Sequence, residues 1–254
     1  MKNPKTILIT GASSGIGHAL ALLYAAPGMT LLLTGRNPER MADVARACAA
    51  KGAAVKTTVT PVTARAAFEK EILAWDDSHP IDLVIANAGV SGGSGAAGGE
   101  SGHQFRAIME INLDGTLNTV APLVPRMEAR KKGQVALMSS MAGFRGMPNA
   151  PAYSVSKMAV RAYGEALRPL LKKSGVEVSV IFPGFVKTPL TDVNRFPMPW
   201  LIDTDTAARR IISGLAANKA RIAFPWQMHF LARLIAALPL CLGDLILSKA
   251  PKKS

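Results

Sequence analysis

Thr10-Gly11-Ala12-Ser13-Ser14-Gly15-Ile16-Gly17 stands directly after the apolar run 6–9 and opens a helical pattern. Glycines 11, 15 and 17 let a backbone turn tightly, approach a pyrophosphate closely and bring a helix down onto a sheet. The helix N-terminus would then offer unpaired N–H groups and the positive end of its dipole to phosphate oxygens. Ser13, Ser14 and Ile16 complete the turn as candidate phosphate-side contacts.

Outward from this turn, short apolar segments alternate with longer helical ones. Strands are expected at 6–9, 30–33, 54–59, 82–86, 134–138 and 177–182, and helices at 16–26, 38–51, 64–75, 104–130 and 152–173. Most of the strand segments are near-continuous apolar runs, as parallel strands buried on both faces require. The alternation predicts right-handed βαβ units and an α/β fold, a doubly wound parallel sheet flanked by helices. A chain of 254 residues fits one such domain. We expect it over 1–224, with 225–254 as an apolar, basic C-terminal extension packed on or beside it. Residues 89–102, dominated by Gly and Ser, predict a mobile loop at the carboxyl edge of the sheet, where ligands bind in such folds.

The second strand speaks to the nucleotide. It ends Leu33-Thr34-Gly35-Arg36, with glycine where an acid would hold the ribose diol of NAD(H). A carboxylate there would repel a 2′-phosphate, whereas the Arg36 guanidinium can pair with one, so NADP(H) is favoured over NAD(H).

Composition bounds the partners. Lys and Arg number 30 against 17 Asp and Glu, a net charge of +13, which favours acidic partners without identifying one. Nucleic acid is not expected: the basic groups 130–132 and 172–173 lie at helix ends, and aromatic residues, at 6%, offer little stacking surface. Two cysteines far apart, Cys48 and Cys241, give neither a disulfide framework nor metal spacing. The four histidines are scattered, so no metal is expected. The run 6–9 is too short for a signal peptide, and the uncharged run 234–243 is too short to span a bilayer, which takes about 20 residues. A cytoplasmic location is the expectation, with peripheral membrane contact as an alternative.

Tyr153-Ser154-Val155-Ser156-Lys157 opens the helix after the fifth strand. Tyr and Lys four apart share one helix face, where an ammonium can influence a phenol whose ordinary pKa, about 10, is too high for a base at neutral pH. Ser140 closes the preceding strand, where its hydroxyl could share a substrate oxygen with Tyr153.

These residues make the sequence resemble the short-chain dehydrogenase/reductase family. The resemblance covers the first 190 residues and the helix and strand that follow. It rests on the glycine turn, Asn87-Ala88-Gly89, Asn112, Ser140, Tyr153, Lys157, and Pro183-Gly184 followed by Thr188. It implies a Rossmann-like fold and an enzyme acting on a carbonyl/alcohol pair. Tyr153 would be the general acid or base, and Lys157 would hold the nicotinamide ribose and lower the Tyr153 pKa. Ser140 would bond the reacting oxygen, and Asn112 would anchor a water in a proton relay. Asn87, Ala88 and Gly89 would line the adenosine side, and Val186 and Thr188 the carboxamide. A homodimer or homotetramer is the family's expectation. One departure stands out: Pro61 occupies the position where the family usually has an Asp for the adenine amino group. A non-catalytic NADP(H)-binding regulator or scaffold is the alternative reading, and the complete proton-relay set argues against it.

The substrate is expected to be a small apolar carbonyl or alcohol, from Phe185, Phe196, Met198, Trp200 and Leu201. Beyond residue 224, Phe230, Leu231, Leu234, Ile235 and Leu238 recur at helical spacing. Leu242, Leu245, Ile246 and Leu247 follow, then Lys249, Lys252 and Lys253. Such a segment fits a lid or a subunit contact slightly better than a helix lying in a membrane interface.

Overall fold

The computed structural model describes residues 3–92, 100–194 and 196–248. Its centre is a sheet of seven parallel strands: β1 (Thr6–Thr10), β2 (Thr30–Thr34), β3 (Ala54–Thr58), β4 (Leu83–Ala86), β5 (Gly133–Met138), β6 (Val176–Pro183) and β7 (Arg221–Phe224). Their order is β3-β2-β1-β4-β5-β6-β7, so the direction of winding reverses between β1 and β4. A crevice opens at the carboxyl ends of the strands at such a reversal. This is the expected doubly wound, Rossmann-like architecture.

Period-two alternation along the buried strands builds the two halves of the core. Ile7, Ile9, Leu31 and Leu33 face α1 (Gly15–Tyr24), α2 (Pro38–Ala49) and α9 (Thr204–Ala216). Leu8, Leu32, Val84 and Val135 face the opposite way, onto α3 (Arg65–Ser78) and α7 (Pro151–Lys172). Each such side chain, taken from water, contributes about 1.5–3 kcal/mol. The edge strand β3 is less apolar, and its Lys56 reaches Ser78 and His79. A lysine on an edge strand discourages pairing with another chain.

The single helix expected over 104–130 is instead broken into α4 (Gly102–Met109), a π-helical turn (Glu110–Asp114), α5 (Gly115–Val120) and α6 (Val124–Arg130). The causes are local. The Thr116 and Thr119 hydroxyls donate to the carbonyls of Asn112 and Gly115, each at 2.7 Å, in competition with the helix ladder. Pro122 then removes an N–H and ends α5. Beyond β6 come α8 (Pro189–Asp192), α9, β7, α10 (Trp226–Ala237) and α11 (Leu240–Leu247). β7 is the strand that the family resemblance implies beyond residue 190. Part of the expected Gly/Ser loop, residues 93–99, lies outside the described residues, as do Lys249, Lys252 and Lys253.

Candidate active site

A cleft of about 510 Å³ runs along the carboxyl edge from the β2 side, past the β1–β4 reversal, to the β5–β6 side. Its floor is the glycine turn. Gly11 has φ +68°, and a Cβ there would come within 2.9 Å of the Ala88 backbone. At Gly17 a Cβ would lie 2.3 Å from the Gly11 carbonyl, so a side chain would push α1 off the turn. Asn87 locks this arrangement. Its amide donates to the Thr10 carbonyl at 2.9 Å, while the Thr10 hydroxyl accepts from the N–H groups of Asn87 and Ala88, both at 3.0 Å.

The N-terminus of α1 is left open to a ligand. Ser14 occupies its N-cap position but makes no side-chain capping bond, and no acid stands in its first turn. Its N–H groups and positive dipole end therefore face the cleft uncompensated, the arrangement that suits a phosphate. By contrast, α2 is capped by Asn37, whose side chain accepts from Arg40 N–H at 2.8 Å.

At the β2 end, Arg36 lines the cleft as expected, and Arg40 from the first turn of α2 joins it. Arg40 escaped the sequence reading, although its position one turn beyond Arg36 was a usable signal. Gly35 is sterically enforced: a Cβ would lie 2.5 Å from Met41 Sδ and 2.9 Å from Ser13 Cβ. No ribose-binding acid could be placed there without displacing both. Pro61 lines the same end with Thr60 and Thr63, so the departure from the family pattern falls inside the cleft.

At the β5 end, α7 presents Tyr153 and Lys157 on one face, and Ser140 starts the short 3₁₀ turn Met141–Gly143 after β5. Ser140 hydrogen-bonds the Tyr153 phenol. Burial pushes the phenol pKa above its ordinary value, and the Ser140 bond pulls it the other way. The Lys157 Nζ lies 5.8 Å from the Tyr153 ring centroid and donates to the Met138 carbonyl at 2.9 Å. Burial lowers its pKa from 10.5 to about 8. Ser139, the neighbouring candidate, also borders the cleft, but its hydroxyl is buried and donates to the Lys157 carbonyl at 2.8 Å, whereas Ser140 is partly exposed.

Asn112 is fully buried behind the cleft rather than in its wall. Its amide oxygen accepts from Val90 N–H at 2.8 Å, and its nitrogen donates to the Val90 carbonyl at 2.9 Å and to Ser156 at 3.0 Å. The side chain thus ties the π-helical turn to the loop after β4 and to α7. Gly17 also lies outside the cleft wall, beneath the turn it shapes. Ser13, Ser14, Gly15, Ile16, Asn87, Ala88, Gly89, Pro183, Gly184, Val186 and Thr188 all line it. Thr188 additionally stands at the N-cap of α8, its N–H donating to the Thr191 hydroxyl at 2.9 Å.

Shortly after the 3₁₀ turn that Ser140 starts, Arg145 reaches α10 and α11. Its guanidinium donates to the carbonyls of Ile235 (2.8 Å), Leu238 (3.1 Å) and Leu240 (3.2 Å), with Asp244 at 3.6 Å. Among the described residues, no group of three or more His, Cys, Asp or Glu could hold a metal ion.

Parallel topology, an uncapped helix at the reversal and the grouping of Ser140, Tyr153 and the buried Lys157 in one cleft define a nucleotide-binding α/β scaffold. The chain belongs to the short-chain dehydrogenase/reductase family: residues 5–197 match the family's short chain dehydrogenase pattern. An uncharacterized oxidoreductase of Myxococcus xanthus is 38% identical over 241 residues, covering 94% of this chain and 95% of that protein. One of Mycobacterium tuberculosis is 30% identical over 238 residues, covering 92% and 93%. Among solved structures, a short chain dehydrogenase/reductase from Burkholderia phymatum in complex with NAD shares the fold at a TM-score of 0.84 and 23% identity, covering 100% of this chain and 98% of that one. A short-chain dehydrogenase from Sphingobium yanoikuyae in complex with NADPH does so at 0.79 and 23%, covering 92% and 96%.

Proposed function

We propose that the protein is an NADP(H)-dependent oxidoreductase acting on a carbonyl/alcohol pair of an apolar substrate, with Tyr153 as the general acid and base. The observation that carries this reading is the shared cleft: two guanidinium groups, Arg36 and Arg40, at one end and Ser140, Tyr153 and the buried Lys157 at the other. The dinucleotide would lie between them. Its 2′-phosphate would lie by Arg36 and Arg40, its pyrophosphate at the open N-terminus of α1, and its nicotinamide between Tyr153 and the segment 183–188. The bound cofactor supplies or accepts the hydride.

The chain's own groups handle the proton. A phenol whose pKa is raised by burial stays protonated at neutral pH, so in reduction Tyr153 gives its proton to the carbonyl oxygen as the carbon takes up hydride. Ser140 bonds that oxygen and fixes its distance from the phenol. Lys157, close to its own midpoint at about 8, is placed to return a proton to the tyrosinate. A pure nucleotide-binding regulator would need none of these three groups. Asn112 acts here through its grip on Val90 and Ser156, holding the π-helical turn against α7.

Direct titration with NADPH and NADH, followed by an NADPH-oxidation screen over ketones and aldehydes of graded chain length, tests the reading. Tighter binding of NADPH and turnover that grows with chain length are the expected results. No binding of either nucleotide would overturn it. As the family resemblance implies, a homodimer or homotetramer is also proposed, and light scattering in solution checks it.

A further inference from the structure

The two helices that follow the sheet carry an apolar surface that the fold itself does not use. α10 packs inward through Met228 and Ala232, against the cluster of Phe144 and Phe182. Its opposite stripe repeats every four residues as Trp226, Phe230 and Leu234, with Trp226 72% and Phe230 65% exposed. α11 repeats the division: Gly243 and Leu247 are buried, while Leu242, Leu245 and Ile246 are exposed. Arg145 bonds the carbonyls at the junction of the two helices, which holds the inner stripes down and leaves the outer ones facing away from the body. A lid would turn its apolar stripe toward the cleft; this pair does not. Among the described residues no helix is long and apolar enough to cross a membrane.

Charge selects the occupant of this face. Residues 225–254 carry Arg233, Lys249, Lys252 and Lys253 against the single acid Asp244, and that acid lies 3.6 Å from Arg145. The whole chain is +13. A second copy laid on this face would bring like charge to like charge. An anionic lipid surface would instead accept both the apolar stripe and the cations.

We propose that the outer face of α10 and α11 lies in the interface of an anionic bilayer, an in-plane contact that seats the enzyme on the membrane. The cleft then opens close to that surface. α10 begins where β7 ends, at the carboxyl edge, and Met228 in its first turn lies against Gly184 of the cleft wall.

The test is flotation of the full chain with vesicles of phosphatidylcholine alone and of phosphatidylcholine mixed with phosphatidylserine. Binding to the mixed vesicles, at least about tenfold stronger than to the neutral ones, is expected. Phe230→Glu combined with Leu234→Glu should reduce it by about tenfold or more while NADPH titration and the far-ultraviolet dichroism stay unchanged. Quenching of tryptophan emission by brominated lipid needs no destabilising variant: it should be seen with the parent and disappear in Trp226→Phe. Absence of binding to the anionic vesicles, or equal binding to both kinds, overturns the proposal. So does a double variant that binds vesicles as the parent does but sediments as a smaller oligomer, since the face is then a subunit contact.

Discussion

Replacing Lys157 by methionine should abolish turnover and at the same time stabilise the protein without its cofactor. The ammonium is buried, and burial brings its pKa from 10.5 to about 8. That difference corresponds to about 3 kcal/mol by which the folded site disfavours the charged form at neutral pH. Methionine keeps the long apolar stem and removes the charge, but it leaves the Met138 carbonyl without its donor, a loss of about 1–2 kcal/mol. The balance is a gain of about 1–2 kcal/mol, or a melting temperature roughly 2–8 °C higher for a domain of this size. Turnover should fall by at least about 100-fold, since the proton return to Tyr153 is lost. The pH dependence gives an independent sign. Between pH 8 and 10.5 the unfolded lysine holds a proton that the folded one has released, so parental stability rises relative to Lys157→Met across that window. Below pH 8 the gap between the two proteins should be constant. Urea unfolding at several pH values, with the variant as reference, reads this directly. A variant less stable than the parent by more than about 1 kcal/mol at pH 7, or a gap that ignores pH between 8 and 10, would refute the reasoning.

Tyr153→Phe should keep the fold and nucleotide binding and lose about 10²–10⁴ in rate; single-turnover NADPH oxidation within a few-fold of the parent would remove it as the proton donor. Arg36→Ala should weaken NADPH binding by about 10- to 150-fold and leave NADH nearly unaffected, which calorimetry distinguishes from an equal loss for both. Gly35→Asp should fail to create NADH preference, because its Cβ would meet Met41 and Ser13; a thermal melt should show destabilisation instead. Away from the cleft, burial works against the charge on Asp76, but bonds from Arg130, the Ile81 N–H and Arg126 outweigh it and depress its pKa. The stability this supplies is present above the ordinary carboxylate range and is lost as pH falls through the depressed value. Asp76→Asn should therefore be less stable at neutral pH and show a flatter acid limb below about pH 4 in denaturant titrations.

Much of this molecule is legible in its sequence because the decisive constraints are local. Buried parallel strands leave apolar runs, and the turn at Gly11–Gly17 needs glycine for reasons of backbone geometry alone. The Tyr153–Lys157 spacing is one helical turn, so their shared face follows from arithmetic. Harder to read were features set by distant partners. The break at Glu110–Asp114 depends on Thr116 and Thr119 turning their hydroxyls onto the backbone, a choice that residue type does not dictate. Asn112 reads as a cleft residue from its motif, yet its bonds to Val90 and Ser156, residues far apart in the chain, place it behind the wall. Arg40 enters the cleft because α2 starts where it does, and its place one turn beyond Arg36 is the one sign of it in the sequence. The apolar residues beyond 224 show helical spacing in the sequence, but which stripe packs inward depends on Phe144, Phe182 and Arg145.

Arg145 also gives the protein a temporal order. During synthesis the chain emerges from its N-terminus, and domains begin to organise before the last residues appear. Ser140, Tyr153 and Lys157 are made well before Ile235, Leu238 and Leu240, the residues whose carbonyls receive the Arg145 guanidinium. Until those carbonyls arrive, a strongly polar group beside the serine turn has no protein acceptors there and must remain in water. The nascent chain can thus form its nucleotide turn early, while Arg145 gains its acceptors, and α10 and α11 their seat, only when residues 235–240 arrive.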